Sequence, residues 1–194
     1  MLTFLLVLGI LFAFLAELYY IREIYQKKVR ISLSGFIIFF LSSVLGGLSS
    51  IHIFGLVYGI IPLSFCFFHL WILYAAYSTH YHSGWNHYDS FFILLAIFSV
   101  IGWIFFHMPI FSLLFSFFID CISYISILKK MFYFPKSESF IAWLFVILSY
   151  LMSLFSGFIH HHISFQYNSL SYLNLLGSLM ILIFLFFQKN KKFY

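Results

Sequence analysis

Three polar side chains interrupt long apolar runs of the sequence: Asp120, His69 and Asn174. Burying a polar group among apolar side chains is costly, so each of them marks either a functional site or a hydrogen bond between helices. A carboxyl group in such a run, as at Asp120, could relay protons or pair with a coupling cation. It could instead reach toward Lys129 or cap the end of a neighbouring helix, and the sequence leaves these alternatives open.

Histidines form two further groups that could bind a metal ion, because imidazole is a ligand for Zn²⁺ and Cu²⁺. One group lies near the ends of apolar runs and the other in a polar segment: His52, His107, His160, His161 and His162; then His80, His82 and His87 with Asp89. The spacing matches no specific metal motif. Histidines at the level of lipid headgroups, or a pH sensor, would give the same pattern. The best metal candidates are three consecutive residues: His160, His161 and His162.

The composition of the chain indicates that lipid is the solvent for most of it. Of the 194 residues, 64% are hydrophobic and 8% are charged, whereas a soluble domain carries roughly 25% charged residues. The formal net charge of +5 does not indicate nucleic acid, because no basic stripe alternates with aromatic residues on a polar surface. Basic loops beside anionic lipid headgroups are the simpler explanation.

Seven apolar segments are long enough to cross a membrane as helices, since a span needs about 20 residues. They are 2–20, two within 31–78 with a turn near 49–52, two within 91–128 with a break at 107–109, and then 140–156 and 170–187. The predicted fold class is an all-α membrane protein with seven transmembrane helices. Residues 1–194 form a single integral membrane domain.

The basic residues predict the orientation of these spans. All ten lie in three clusters, 22–30, 129–136 and 189–192. Loops rich in Lys and Arg stay on the cytoplasmic side, and seven spans place all three clusters on one side. We therefore expect the N-terminus outside and the C-terminus in the cytoplasm. The absence of a targeting segment favours the plasma membrane of a prokaryote.

Two parts of the chain resemble each other. Each has an acid near the end of a span (Glu17, Asp120), then an aromatic residue, a Lys-Lys pair and a Ser-x-Ser that opens the next span. By this alignment His69 and Asn174 are equivalent. The pattern predicts two parallel three-helix repeats joined by an inverting helix, a 3+1+3 arrangement known in transporters. The first repeat is 1–78, the inner loop and linker helix are 79–107, and the second repeat with its basic tail is 108–194. Chance similarity among Phe-, Ile-, Leu- and Ser-rich helices is the alternative.

The segment 20–36, with Lys27-Lys28 and Ser32-Leu33-Ser34, resembles the loop after the first helix of the SWEET and PQ-loop group, and the segment 120–139 has the same layout. The resemblance implies a solute site between spans three and seven. Its hydrogen bonds would come from one pair of residues and its apolar faces from three aromatic residues: His69 and Asn174; Trp71, Tyr172 and Trp143. Such a pocket suits a small polar solute, for example a sugar, a nucleoside or a vitamin.

Two functions from different classes are argued from this sequence, and a scaffold or sensor without transport is the third alternative. We favour a transporter or facilitator of a small polar solute, with no enzyme activity and no cofactor. The alternative is a membrane-embedded metal-dependent hydrolase that uses the clustered histidines of the outer side. All five acidic residues fall on the inner side, so an outer metal would lack a carboxylate as general base. The expected partners are the solute and the lipid bilayer, with no nucleic acid. Assembly into a homo-oligomer stays open.

Overall fold

The computed structural model describes residues 2–83, 87–106, 109–159 and 165–190. This part of the chain forms seven helices and two very short strands: α1 Leu2–Tyr25, β1 Ile31–Ser32, α2 Leu33–Phe54, α3 Leu56–Thr79, β2 His82–Ser83, α4 His87–Phe106, α5 Pro109–Tyr133, α6 Phe140–Ile159 and α7 Phe165–Asn190. The expectation of an all-helical chain is confirmed in this coarse form.

Four helices in the described ranges are apolar and long enough to cross a membrane. They are the segments Phe4–Tyr25, Leu33–Ile53, Phe140–Ile159 and Ser171–Gln188. Large apolar side chains cover the outside of the bundle, for example Phe67, Phe105 and Phe118. A lipid environment accounts for such a surface, whereas water would not. The protein is therefore a multi-pass membrane protein.

Two serines determine where α2 and α6 begin. The backbone N–H of Gly35 donates to the Ser32 side chain over 3.3 Å, and the N–H of Ala142 donates to the Ser139 side chain over 3.2 Å. Each serine satisfies a backbone donor that the first helical turn leaves without a partner. One serine of each Ser-x-Ser pattern thus caps the following helix, the first serine before α2 and the second before α6.

The break between α2 and α3 differs from the prediction. The expected turn near 49–52 is helical, and the chain turns at Gly55, whose φ is +96°. Glycine adopts this backbone conformation at no steric cost. The preceding Gly47 instead allows close packing, because a Cβ there would lie 2.7 Å from the Leu63 side chain. One glycine thus ends the helix while another brings α2 against α3.

The helices pack in a pattern that pairs the two halves of the chain. Helix α1 packs against α6 and α3, α2 packs against α5 and α3, and α7 packs against α6 and α5. Helix α4 contacts α2 and α5. Exchanging α1, α2 and α3 for α5, α6 and α7 converts each of the six main contacts into another contact of the same set.

The connecting segments meet at one end of the bundle, which we call the basic end: residues 26–32, 80–83, 134–139 and the last turns of α7. Strands β1 and β2 pair in parallel, and the N–H of Arg30 donates to the Ser137 carbonyl over 3.0 Å. The Gln188 side chain donates to the Met131 carbonyl and accepts from the Lys136 N–H, over 2.8 and 3.0 Å. Helix ends from both halves are thus tied together here.

Candidate functional site

A cavity runs through the middle of the bundle. Its volume is about 70 Å³, measured as the space open to the centre of a water molecule. Helices α1, α2 and α3 line it together with α5, α6 and α7, and none of the described α4 residues contributes to the lining. On α2 the lining extends from Phe36 to Ser50, a rise of about 21 Å. The cavity is therefore long and narrow, and both halves of the chain contribute to its wall.

The first half of the chain places an acid beside an imidazole in this cavity. The Nε2 atom of His69 on α3 lies 3.9 Å from Oε1 of Glu17 on α1. The other His69 nitrogen, Nδ1, lies 3.4 Å from the Ser43 hydroxyl on α2. The second carboxyl oxygen of Glu17, Oε2, is buried and has no hydrogen-bond partner in the described structure. This carboxyl group is thus only partly satisfied by its neighbours.

The second half places an acid beside an amide. The Asn174 side chain on α7 donates to Oδ2 of Asp120 on α5 over 3.0 Å. The Tyr124 hydroxyl donates to Oδ1 of Asn174 over 2.9 Å, and the Ser178 hydroxyl donates to the Asn174 carbonyl over 2.6 Å. Asp120 is therefore bound by a side chain of α7. The amide is held in one orientation, because its oxygen and nitrogen have different partners.

Aromatic rings form most of the remaining wall. His69 stacks between Phe39 and Phe65, with centroid distances of 5.8 and 6.0 Å and interplanar angles of 20° and 19°. Phe65 in turn stacks on Tyr150 of α6 at 5.5 Å. Tyr124 meets the edge of Phe39 at 5.0 Å. These contacts fix ring faces next to the two carboxyl groups.

At the basic end, a third acid has a full set of partners. Glu138 accepts hydrogen bonds from the Tyr20 hydroxyl over 2.5 Å and from the Trp143 indole N–H over 2.9 Å, and it forms an ion pair with Lys130. The Lys130 ammonium also donates to the Arg30 carbonyl over 2.5 Å. We call these four side chains, Tyr20, Lys130, Glu138 and Trp143, the inner cluster. Tyr20 and Trp143 line the cavity, so the inner cluster forms its floor at the basic end.

The position of Lys130 corrects the sequence interpretation. Its basic cluster was expected to lie in a loop, yet Lys130 belongs to α5 and is 4% exposed. The reason is that α5 continues to Tyr133, and the following turn brings Glu138 back over it. Its charge is compensated inside the protein, which leaves Lys129 and Lys136 as the exposed cations of this segment.

Four of the predicted site residues line the same cavity: His69, Asn174, Trp143 and Asp120. The structure does not bring the other two to the cavity. Trp71 is 45% exposed on the outer surface of α3, and Tyr172 is absent from the lining. Each of them stands two positions from a lining residue in a helix, and residues two apart do not share a face. The assignment of Trp71 and Tyr172 to a solute site stays a prediction, and neither side chain lines this cavity.

The predicted metal residues His160, His161 and His162 lie outside the described residues, as does His107. His52 is described and is exposed near the end of α2. Within the described ranges, no three His, Cys, Asp or Glu side chains come together as a metal site would require.

Two acids of the site were undervalued by sequence reasoning. Glu17 was assigned to a position close to the interface, yet it is 5% exposed and lines the cavity. Its equivalence to Asp120 in the predicted repeat was the signal that could have found it. Glu138 gave no such signal, because only folding brings its three partners from α1, α5 and α6 together.

Comparisons with known proteins found no match. No protein-family model, no curated protein and no solved structure matches it.

Proposed function

We propose that this membrane protein moves a small polar solute across the bilayer through the central cavity. The observation that carries the proposal is the composition of the cavity wall, in which each half of the chain supplies a buried acid next to a polar partner. Glu17 lies beside His69 in the first half, and Asp120 binds Asn174 in the second. Transporter sites commonly lie at the interface of two repeats, near the middle of the membrane.

A 3+1+3 repeat is part of this proposal. Helices α2 and α6 both begin at a serine of the repeated Ser-x-Ser pattern. The exchange of α1–α3 for α5–α7 preserves the pattern of helix contacts. It also relates Glu17 to Asp120 and Tyr20 to Tyr124. Helix α4 is the linker that gives both repeats the same orientation. Chance similarity of apolar helices would not be expected to match contacts, caps and cavity residues together.

Seven spans and a cytoplasmic C-terminus are the topology that we propose. Three connecting segments and the end of α7 meet at the basic end, as a bundle of alternating spans requires. Arg22, Lys27 and Lys28 lie there together with Lys129 and Lys136. Short basic loops remain in the cytoplasm, so the basic end would face the cytoplasm of the cell. A SWEET-like architecture fits this arrangement and remains a proposal on the sequence resemblance.

Uptake into proteoliposomes tests the function. The purified protein is reconstituted and supplied with radiolabelled glucose, uridine or thiamine, one compound from each predicted solute class. We expect one of them to enter faster than it enters protein-free liposomes. Asn174→Ala should abolish that uptake, because the amide lies in the cavity wall.

The matched control is Trp71→Ala, which removes a large side chain from the outer surface of the bundle and should leave uptake intact. Absence of uptake for all three compounds would contradict the proposed function. Equal loss in Asn174→Ala and Trp71→Ala would also contradict it, since the cavity would then have no special role.

A further inference from the structure

Acidic residues outnumber basic ones in the cavity lining. Two carboxyl groups, Glu17 and Asp120, line the cavity, and no described residue of the lining is Lys or Arg. Among the described lining residues the only basic group is the His69 imidazole, 3.9 Å from Glu17. The buried Lys130 ammonium at the basic end is bound by Glu138 and by the Arg30 carbonyl.

One oxygen of the Glu17 carboxyl group is available to accept a hydrogen bond from a ligand. Its Oε2 atom is buried and has no hydrogen-bond partner, while its Oε1 atom has only the His69 contact at 3.9 Å. A buried acceptor without a partner costs free energy that a bound donor would recover. Asp120 differs in degree, because Asn174 donates to one of its oxygens. Of the two carboxyl groups, Glu17 therefore has the fewer hydrogen bonds.

Aromatic faces surround the same space. Phe36, Phe39 and Phe65 from the first half line the cavity, as do Tyr124, Trp143 and Tyr150 from the second. A ring face attracts a cation through its quadrupole, and the attraction is greater where water is excluded. Carboxyl groups and ring faces together recognise an organic ammonium or a positively charged ring. A neutral sugar would use the hydroxyl-binding groups but would leave Glu17 uncompensated.

We infer that the solute is a small organic cation, with its positive charge held next to Glu17 and its apolar part against the aromatic side chains that line the cavity. This inference rests on the proposed function, because it names the chemical class that the same cavity binds. Asp120 lies on the opposite half and receives the cation as it passes from one repeat to the other. The Asn174 amide binds Asp120 and positions its carboxyl group for that contact.

Pairs of a cation and its neutral isostere test the inference on the wild-type protein. The thermal stability of the detergent-purified protein is measured with choline against 3,3-dimethyl-1-butanol, 1-methylnicotinamide against nicotinamide, and benzylammonium against benzyl alcohol. Potassium chloride is added to the neutral samples to equalise ionic strength. We expect at least one cation to raise Tm by about 3–6 °C at roughly ten times its Kd, and its neutral isostere to have no effect.

Variants test which carboxyl group binds the cation. Glu17→Gln should abolish the shift, whereas Glu23→Gln, the same change on α1 outside the cavity lining, should retain it. The inference is overturned if no cation raises Tm, if a neutral isostere acts as strongly as its cation, or if the shift survives Glu17→Gln. A shift given by potassium chloride alone would also overturn it.

These outcomes separate the inference from the proposed function. Uptake of glucose or uridine without any preference for cations overturns the inference and leaves the transport function in place. Absence of uptake for every compound removes the function itself.

Discussion

Two buried acids of this protein, Glu138 in the inner cluster and Glu17 in the cavity, have opposite environments. Glu138 has an ammonium, a phenol and an indole as partners, drawn from three helices. Glu17 has one distant imidazole, and its Oε2 atom has no hydrogen-bond partner within the described structure. A buried charge with a complete set of partners holds a structure together, whereas one without them leaves room for a ligand. Burial alone therefore does not distinguish a structural acid from a functional one, but the number of its partners does.

The largest effect is expected from Glu138→Ala. The change leaves the Lys130 ammonium buried without its carboxylate, which costs about 3–5 kcal/mol when one partner of a buried ion pair is removed. Thermal unfolding in detergent would measure the loss. The double variant Lys130→Met with Glu138→Gln should recover most of it. Lys129→Met, on the exposed neighbour, should change stability by less than about 0.5 kcal/mol. If Glu138→Ala were neutral, the inner cluster would not have the structural role described.

A glycine next to the cavity tests how tightly the second acid pair is held. A Cβ at Gly177 would lie 2.5 Å from the Tyr124 ring, so Gly177→Ala must displace the ring that orients Asn174. Overpacking of this kind costs about 1–3 kcal/mol. Gly102→Ala is the matched control, because nothing lies within 4 Å of its Cβ position. The same unfolding assay should show Gly102→Ala equal to or more stable than the wild type. Equal loss in both variants would contradict the packing described here.

The equivalent tyrosines of the two halves sharpen the comparison. Tyr20 donates to the Glu138 carboxylate and Tyr124 donates to the Asn174 amide. Hydrogen bonds to charged groups contribute about 1.5–3 kcal/mol and neutral ones about 0.5–1.5 kcal/mol. Tyr20→Phe should therefore destabilise the protein about twice as much as Tyr124→Phe. The reverse order in unfolding measurements would argue against the charged environment assigned to the inner cluster.

The smallest effect on stability is expected at Glu17. Glu17→Gln replaces a poorly partnered carboxyl group with a neutral amide of the same shape, so unfolding should change by less than about 1 kcal/mol and stability could rise. The identical change at Glu138 should destabilise the protein. Measured together, the two variants compare one substitution in two environments. A large loss of stability in Glu17→Gln would show that this acid is structural as well.

Part of this picture could be predicted from the sequence. The length of the apolar runs predicts the helices, including a break between α4 and α5 near 107–109. The polar residues His69, Asn174 and Asp120, which interrupt those runs, line the cavity. The break between α2 and α3 lies later in the chain than the sequence predicts. Gly46, Gly47 and Gly55 are all candidates for the turn, and the sequence does not show which of them instead contacts a neighbouring helix.

The remaining differences between the sequence prediction and the structure have one physical cause. Trp71 and Tyr172 are predicted from their residue type, and the helical repeat turns them away from His69 and Asn174. Lys130 was counted as a loop cation, because its partner Glu138 lies beyond a turn. In each case the environment of the side chain is set by tertiary packing, which the sequence alone does not show.

Cysteine accessibility tests the central claim, a cavity that a polar solute can enter, most directly. In a background without Cys66 and Cys121, Ser153→Cys lies in the cavity wall, whereas Ser149→Cys lies one turn away on α6 and is buried outside the lining. Proteoliposomes are treated with a small membrane-impermeant cationic methanethiosulfonate, and the mass of the protein reports labelling. We expect Ser153→Cys to be labelled much faster than Ser149→Cys. Equal or absent labelling at both positions would contradict it and would leave Glu17, His69, Asp120 and Asn174 as hydrogen-bonding groups that only hold the helices together.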